Sequence, residues 1–174
     1  MSNNLELCII AAIDEERGIG KDNRLMWQIP EDMKRFRELT LGQVVIMGRK
    51  TFDSLPARFK PLPKRHNIIL TRDLTWIYPE VTIAHTLAQA IKLAYSSVQA
   101  ERIAVVGGGQ VYQEALSLVD RLYLTLVEGR FGADTFFPEY EDRFRLAKFV
   151  NHVLLGEETA PDIHYRFADF VPSR

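Results

Sequence analysis

The sequence predicts an α/β fold: a central, mostly parallel, twisted sheet of about eight strands with an antiparallel C-terminal edge and helices on both faces. Three observations carry this. Short apolar runs alternate with amphipathic segments up to Val127, the pattern of strands joined by crossover helices. The stretch from about Arg143 to Phe170 reads as two longer strands joined directly around Gly156-Glu157-Glu158, which makes an antiparallel pair. Finally, 174 residues at 47% hydrophobic and 26% charged suit one domain, residues 1–174, with a core that needs no staples.

The elements follow in order. Residues 5–13 are short, apolar and rich in isoleucine, which suits a buried strand. Asp14 to Met26 has little apolar periodicity, two glycines and several charges, and reads as a long binding loop or lid. Pro30 to about Thr40 is helical, with proline in the first turn. Gln43–Met47 is a second strand, and Gly48-Arg49-Lys50-Thr51 opens a helical turn towards Leu55. Residues 56–66 form a loop rich in proline and basic residues. Asn67–Leu70 and Val81–Ala84 are strands, and Thr86 caps a helix from Leu87 to about Val98. Arg102–Val106 is a strand that stops at Gly107-Gly108-Gly109, and a helix from about Gln110 to Leu118 follows. Arg121–Val127 completes the parallel set.

Charge and composition exclude several functions. The net charge of −1 offers no electrostatic case for nucleic acid or an anionic membrane. The single cysteine, Cys8, lies in an apolar run and behaves as a small buried hydrophobe. His66, His85, His152 and His164 show no metal-ligand spacing, so no metal is expected. No stretch is long and apolar enough to span a bilayer, and the N-terminus lacks a signal-peptide pattern; a cytoplasmic protein is the expectation.

Asp32 stands out. On a helical wheel Ile29, Met33, Phe36 and Leu39 form one apolar stripe, and Asp32 falls inside it. Glu31, Lys34, Arg35 and Glu38 are read as pointing the other way, with Arg37 at the stripe's edge, so no cation of the helix shares Asp32's side. A carboxylate facing a core needs a partner from the fold or from a ligand. The plainer alternative is a first-turn acid favoured by the helix dipole.

Ligands of such sheets sit beyond the carboxyl ends of the strands, here Ala11–Asp14, Gly48–Thr51, Thr71–Arg72 and Gly107–Gln110. The glycine turn suits close backbone approach to a pyrophosphate, although alone it is more often a tight turn. Arg49, Lys50 and Arg72 at neighbouring strand ends suit a dianionic phosphate, and hence a 2′-phosphorylated dinucleotide.

The chain resembles bacterial single-domain dihydrofolate reductases nearly end to end. The resemblance rests on Ile10-Ala11-Ala12, Gly18-Ile19-Gly20-Lys21-Asp22-Asn23, Trp27 through Phe36, Val45 through Phe52, Asn67-Ile68-Ile69-Leu70, Val106 through Tyr112, and Asp134-Thr135-Phe136-Phe137-Pro138. It implies reduction of 7,8-dihydrofolate with NADPH by a monomer, with antifolates as inhibitors. Asp32 would anchor the pterin, supported by Thr125; Trp27 would wall the site, and Leu25 would act from the mobile loop of residues 14–28. Substrate contacts would come from Ile10, Ala11, Met33, Phe36, Ser54, Leu55, Leu62, Val106 and Tyr112. Arg65 would clamp the glutamate α-carboxylate, and Arg58 is a candidate second contact. Cofactor contacts would come from Ala12, Ile19, Gly20, Asn23, Gly48, Arg49, Lys50, Thr51, Leu70, Thr71, Arg72, Val106, Gly108, Gly109, Gln110, Val111, Tyr112 and Thr135. The chain departs from the family pattern at Met26, where proline usually precedes tryptophan, and at Gln110, where a basic residue often follows the glycines. Two rival readings share features with this one: a same-fold, NADPH-dependent pyrimidine reductase of riboflavin synthesis, and a non-catalytic folate- or RNA-binding regulator.

Overall fold

The computed structural model describes residues 4–97 and 99–173. Its elements are β1 (Glu6–Ile13), β2 (Gly18–Gly20), α1 (Pro30–Thr40), β3 (Val44–Gly48), α2 (Arg49–Ser54), β4 (His66–Leu70), β5 (Thr82–Ala84), α3 (Leu87–Tyr95), β6 (Arg102–Val105), α4 (Gly109–Ala115), β7 (Arg121–Val127), β8 (Thr135–Phe136), β9 (Phe144–Leu154) and β10 (Ile163–Pro172). Eight strands form one sheet in the order β5-β4-β3-β6-β1-β7-β10-β9. Pairings from β5 through β7 are parallel, and β10 and β9 add the antiparallel edge. The expected fold class therefore stands.

Alternation along the strands sorts side chains to two faces. From β1, Leu7, Ile9, Ala11 and Ile13 join one core with Leu87, Ala90 and Ala94 of α3 and Tyr112 and Ala115 of α4. Cys8 and Ile10 join the opposite core with Phe52 of α2, and Phe36 and Leu39 of α1 pack against it. Helices thus cover both faces. Cys8 is fully buried, and burial pushes its thiol above the ordinary range, so it stays protonated. Phe137, also fully buried, meets Tyr112 and Tyr140 at ring centroids of 5.1 and 5.8 Å. Phe137→Ala should cost about 3–5 kcal/mol through lost contacts and a residual cavity, read as a lower denaturant midpoint.

Several details differ from the reading of the sequence; one is that α4 ends at Ala115, short of the expected Leu118. The loop after β1 contains strand β2, which pairs antiparallel with β8, the two residues Thr135–Phe136. Neither piece is long enough to show a period of its own. The proline-rich loop holds a 3-10 turn over Ala57–Phe59. Helix α3 ends at Tyr95; Val98, where the sequence placed its end, lies outside the described residues.

Candidate active site

The carboxyl ends of β3, β4 and β5 and the turn after β6 open onto one cleft of about 710 Å³. All eighteen residues that the resemblance assigned to cofactor contact line it, from Ala12 and Ile19 to Thr135. Its floor is the glycine turn. Gly107 has φ +136°, which a side chain resists, and a Cβ there or on Gly108 would sit 3.3 or 3.1 Å from Thr51 Oγ1. A Cβ on Gly109 would meet Thr135 Cγ2 at 3.1 Å. Bare backbone is therefore what keeps this part of the cleft open. Lys50 and Arg72 are exposed at its rim. Arg49 is more committed: its guanidinium lies 3.5 Å from Asp53, 3.4 Å from Asp73 and 5.2 Å from the Trp76 ring.

Besides Gly107 of the glycine turn, the cleft has lining residues that the sequence reading did not assign to a ligand: Arg24, His85, Thr86, Leu87 and Glu114. His85 and Thr86 follow β5, whose carboxyl end was not counted among the ligand-facing strand ends. The His85 ring Nδ1 is 2.8 Å from the Thr71 carbonyl oxygen, which can only accept, so Nδ1 carries the proton.

The loop between β1 and α1 closes one side of the cleft. Asp14 is buried, and its Oδ1 accepts from the amides of Glu16 and Gly18 while Oδ2 accepts from Phe131. One carboxylate thus ties the loop's first turn to the segment after β7. Further on, Asp22 donates its amide to Asp134, and the Asn23 side chain donates to the Lys50 carbonyl at 3.2 Å. Gly18 allows this closure: a Cβ there would lie 2.5 Å from Ala133 Cβ and 2.9 Å from Asp14 Oδ2. Gly18→Ala should destabilise by about 1–3 kcal/mol through overpacking, seen as a lower melting temperature.

Asp32 projects from the first turn of α1 but does not cap the helix; the N-cap is Ile29, with no side-chain hydrogen bond. Its Oδ1 accepts from the Thr125 hydroxyl of β7 at 2.5 Å. Burial pushes its carboxyl above the usual aspartate range, while the Thr125 hydrogen bond and nearby Arg35 pull the other way. Asp32 does lie in the first turn, where the helix dipole favours an acid, and it also takes a partner from a distant strand, so the two readings are compatible.

Arg35 corrects the wheel. It was read as pointing away, yet three residues on from Asp32 places it on a neighbouring face. It is half-buried, with Nη2 2.7 Å from Asp169 Oδ1 and Nη1 donating to the Leu124 carbonyl at 3.2 Å. A long stem and a paired guanidinium let arginine enter such a layer.

The expected substrate contacts divide. Ile10 and Leu62 share one core, with Phe36, Leu55 and Val106 packed against it. Met33 is 56% exposed on α1, available to a ligand rather than to the core. Trp27 is buried, and its ring meets Phe131 edge-on at 5.2 Å, while Leu25 is exposed in the loop. The Ala11 side chain faces the opposite core, because it alternates with Ile10; only its backbone can serve this side. Ser54 donates its hydroxyl to Thr51 O and Tyr112 donates to Ile10 O, so both are committed as donors. Arg65 donates to Thr40 Oγ1 and to Pro63 O, and both burial and the like charge of Arg37 push its pKa down. Asn67 sets this loop: its side chain accepts from the Leu62 amide and donates to the carbonyls of Leu62 and Arg65. Arg58 lies over the Phe59 ring.

The arrangement offers a cation-rimmed cleft floored by a glycine turn, a half-buried carboxylate held by Thr125, and two arginines, Arg65 and Arg37, close enough to repel each other. Comparisons agree with it. The sequence profile described as Dihydrofolate reductase matches residues 6–170. A "Dihydrofolate reductase type 3" from Salmonella typhimurium is 40% identical over 134 residues, 77% of this chain and 79% of that protein. A "Dihydrofolate reductase" from Staphylococcus aureus is 35% identical over 158 residues, 90% of this chain and 94% of that protein. The structure described as "Dihydrofolate reductase from Enterococcus faecalis complexed with NADP(H)and RAB-propyl" superposes with a TM-score of 0.82 at 30% identity, covering 97% of each chain. With matching sequence, matching sheet order and a cleft of the required chemistry, this chain belongs to the dihydrofolate reductase family.

Proposed function

We propose that this chain reduces 7,8-dihydrofolate to 5,6,7,8-tetrahydrofolate with NADPH, with Asp32 anchoring the pterin. Membership of the family supports the activity and the cofactor, and it displaces the pyrimidine-reductase and regulator readings. The observation that carries the role of Asp32 is its placement: a half-buried carboxylate, held by Thr125, one turn before Phe36, which packs against the core of Ile10 and Leu62.

The cleft fits the cofactor. A backbone cradle at Gly107 to Gly109 would take the phosphate and nicotinamide side, and Lys50 and Arg72 would hold the 2′-phosphate, with Thr71 beside them and Arg49 adding a shared charge. NADPH, when bound, supplies the hydride. The residues of this chain do the rest. Asp32 accepts hydrogen bonds from the pterin's 2-amino group and N3 side, and its charge raises the basicity of N5, which takes its proton from water. Trp27 and the apolar wall exclude bulk solvent, and so strengthen that charge. Arg65, with Arg37 nearby, holds the glutamate carboxylate. The loop fastened by Asp14 and Asn23 closes over the reacting rings, with Leu25 at its face. The enzyme acts as one domain and as a monomer in the cytoplasm, without nucleic acid or membrane, and antifolates compete for the pterin wall.

The test is loss of NADPH absorbance on adding dihydrofolate. Steady turnover is the expected result, and no turnover by pure, folded protein would refute the proposal.

A further inference from the structure

We propose that Arg35 is a positioning residue for Asp32: held on the sheet by Asp169 and Leu124, its positive charge keeps the pterin-anchoring carboxylate ionised. The proposal builds on the assignment of Asp32 above, but concerns the unliganded protein.

The geometry is a clasp between α1 and two strands. Thr125 of β7 donates to Asp32, and the carbonyl of its neighbour Leu124 accepts from Arg35 Nη1. Arg35 Nη2 reaches Asp169 Oδ1 of β10 at 2.7 Å. The guanidinium carbon lies 4.5 Å from the Phe167 ring centroid and 5.8 Å from that of Tyr123. Asp169 is buried, and Lys148 of β9 approaches its other oxygen at 3.7 Å. Charges therefore alternate along a line from the site to the edge of the sheet: Asp32, Arg35, Asp169, Lys148.

Such a line has a purpose that an apolar filling would not. A buried carboxylate pays for desolvation and tends to protonate, which would remove the charge the pterin needs. A fixed cation one turn away opposes that. Among the described residues, the other groups that interact with Asp32 do not supply a cation. Glu31 is acidic and lies on the same helix, and Tyr112 of α4 and Tyr165 of β10 are both phenols whose ionisation Asp32 further discourages. Among these groups Arg35 is the one that favours the carboxylate through charge. Asp169 holds Arg35 in place, and as a like charge beyond it can only oppose ionisation of a second carboxylate.

This makes a prediction that simple structural support does not. As a mere structural ion pair, Arg35–Asp169 should disturb Asp32 alike when broken from either side. As a charge device, the two breaks act in opposite directions. The experiment is carboxyl ¹³C NMR of aspartate-labelled, unliganded protein, with the Asp32 resonance identified as the one missing from Asp32→Asn. In Arg35→Met the Asp32 titration midpoint should move to higher pH. In Asp169→Asn it should move to lower pH, and Arg35→Lys should stay close to the parent protein. Midpoints that move the same way in Arg35→Met and Asp169→Asn, or that stay in place, would overturn the proposal. Should Arg35→Met fail to fold, Asp169→Asn decides: a downward shift supports it and any other result overturns it. Because no pterin is present, failure here is distinct from failure of the substrate assignment, which the turnover assay tests.

Discussion

Asp32→Asn should lower kcat/KM for dihydrofolate by on the order of 10²–10³-fold at neutral pH, while the protein stays folded and melts at a higher temperature. The two halves share one cause. The carboxylate is half-buried with few partners: Thr125 gives one hydrogen bond, and Arg35 stands a turn away. Burial therefore leaves its pKa above the usual aspartate value of 3.8. A folded-state pKa above the unfolded one means that the folded protein binds the extra proton, so stability is fully present below the unfolded value and falls as pH rises through the folded one. Wherever the group is ionised, it therefore costs the unliganded protein stability. Asparagine removes the charge yet still accepts from Thr125, so the fold should gain. It cannot place a negative charge beside the pterin, so the reaction should lose. Stopped-flow or steady-state rates with a parallel melting curve check both. An active Asn variant, or one with a lowered melting temperature at neutral pH, would contradict the account. Stability gained at an active-site position is a common exchange.

The double variant Lys50→Ala, Arg72→Ala should weaken NADPH binding by on the order of 10²-fold, and NADH binding far less. Each cation can form a charge-assisted hydrogen bond worth roughly 1.5–3 kcal/mol when its partner is charged, and NADH lacks the 2′-phosphate they face. Arg49→Ala should lose less than either single change, because its guanidinium is already shared between Asp53 and Asp73. Equilibrium titration with both cofactors measures this. Equal losses for NADPH and NADH would place the two cations on the pyrophosphate instead.

Much of this architecture was legible in the residues. Apolar strand runs bounded by glycine or by charge, such as Arg121–Val127, lie where they were expected because a doubly covered sheet demands them. Helix α1 matches from Pro30 to Thr40 because proline marks its start and the apolar stripe marks its length. The position of the cleft was legible for a similar reason, since strand ends in a parallel sheet converge on one edge. What escaped detection depends on contacts between distant residues. Strand β8 is two residues long and exists through its pairing with β2. Asp14 looks like one acid among several in a loop, and only the approach of Phe131 shows it as a fastening. Asn67 reads as a strand residue until its side chain is seen holding the loop of Arg65. Arg35 was misread because charge was taken as a sign of solvent, whereas its partner, Asp169, lies more than a hundred residues on. For Asp32 the wheel shows only that it faces inward; the family resemblance, not the wheel, pointed to Thr125 as its partner.

The central claim is that Asp32 meets the pterin. A crystal structure of the protein with oxidised cofactor and folate tests it most directly. The account predicts both carboxylate oxygens of Asp32 about 3 Å from the pterin's 2-amino and N3 positions, with Thr125 still bonded and the nicotinamide ring against the pterin. A pterin bound away from Asp32, or one whose ring edge is met by another residue, would contradict it.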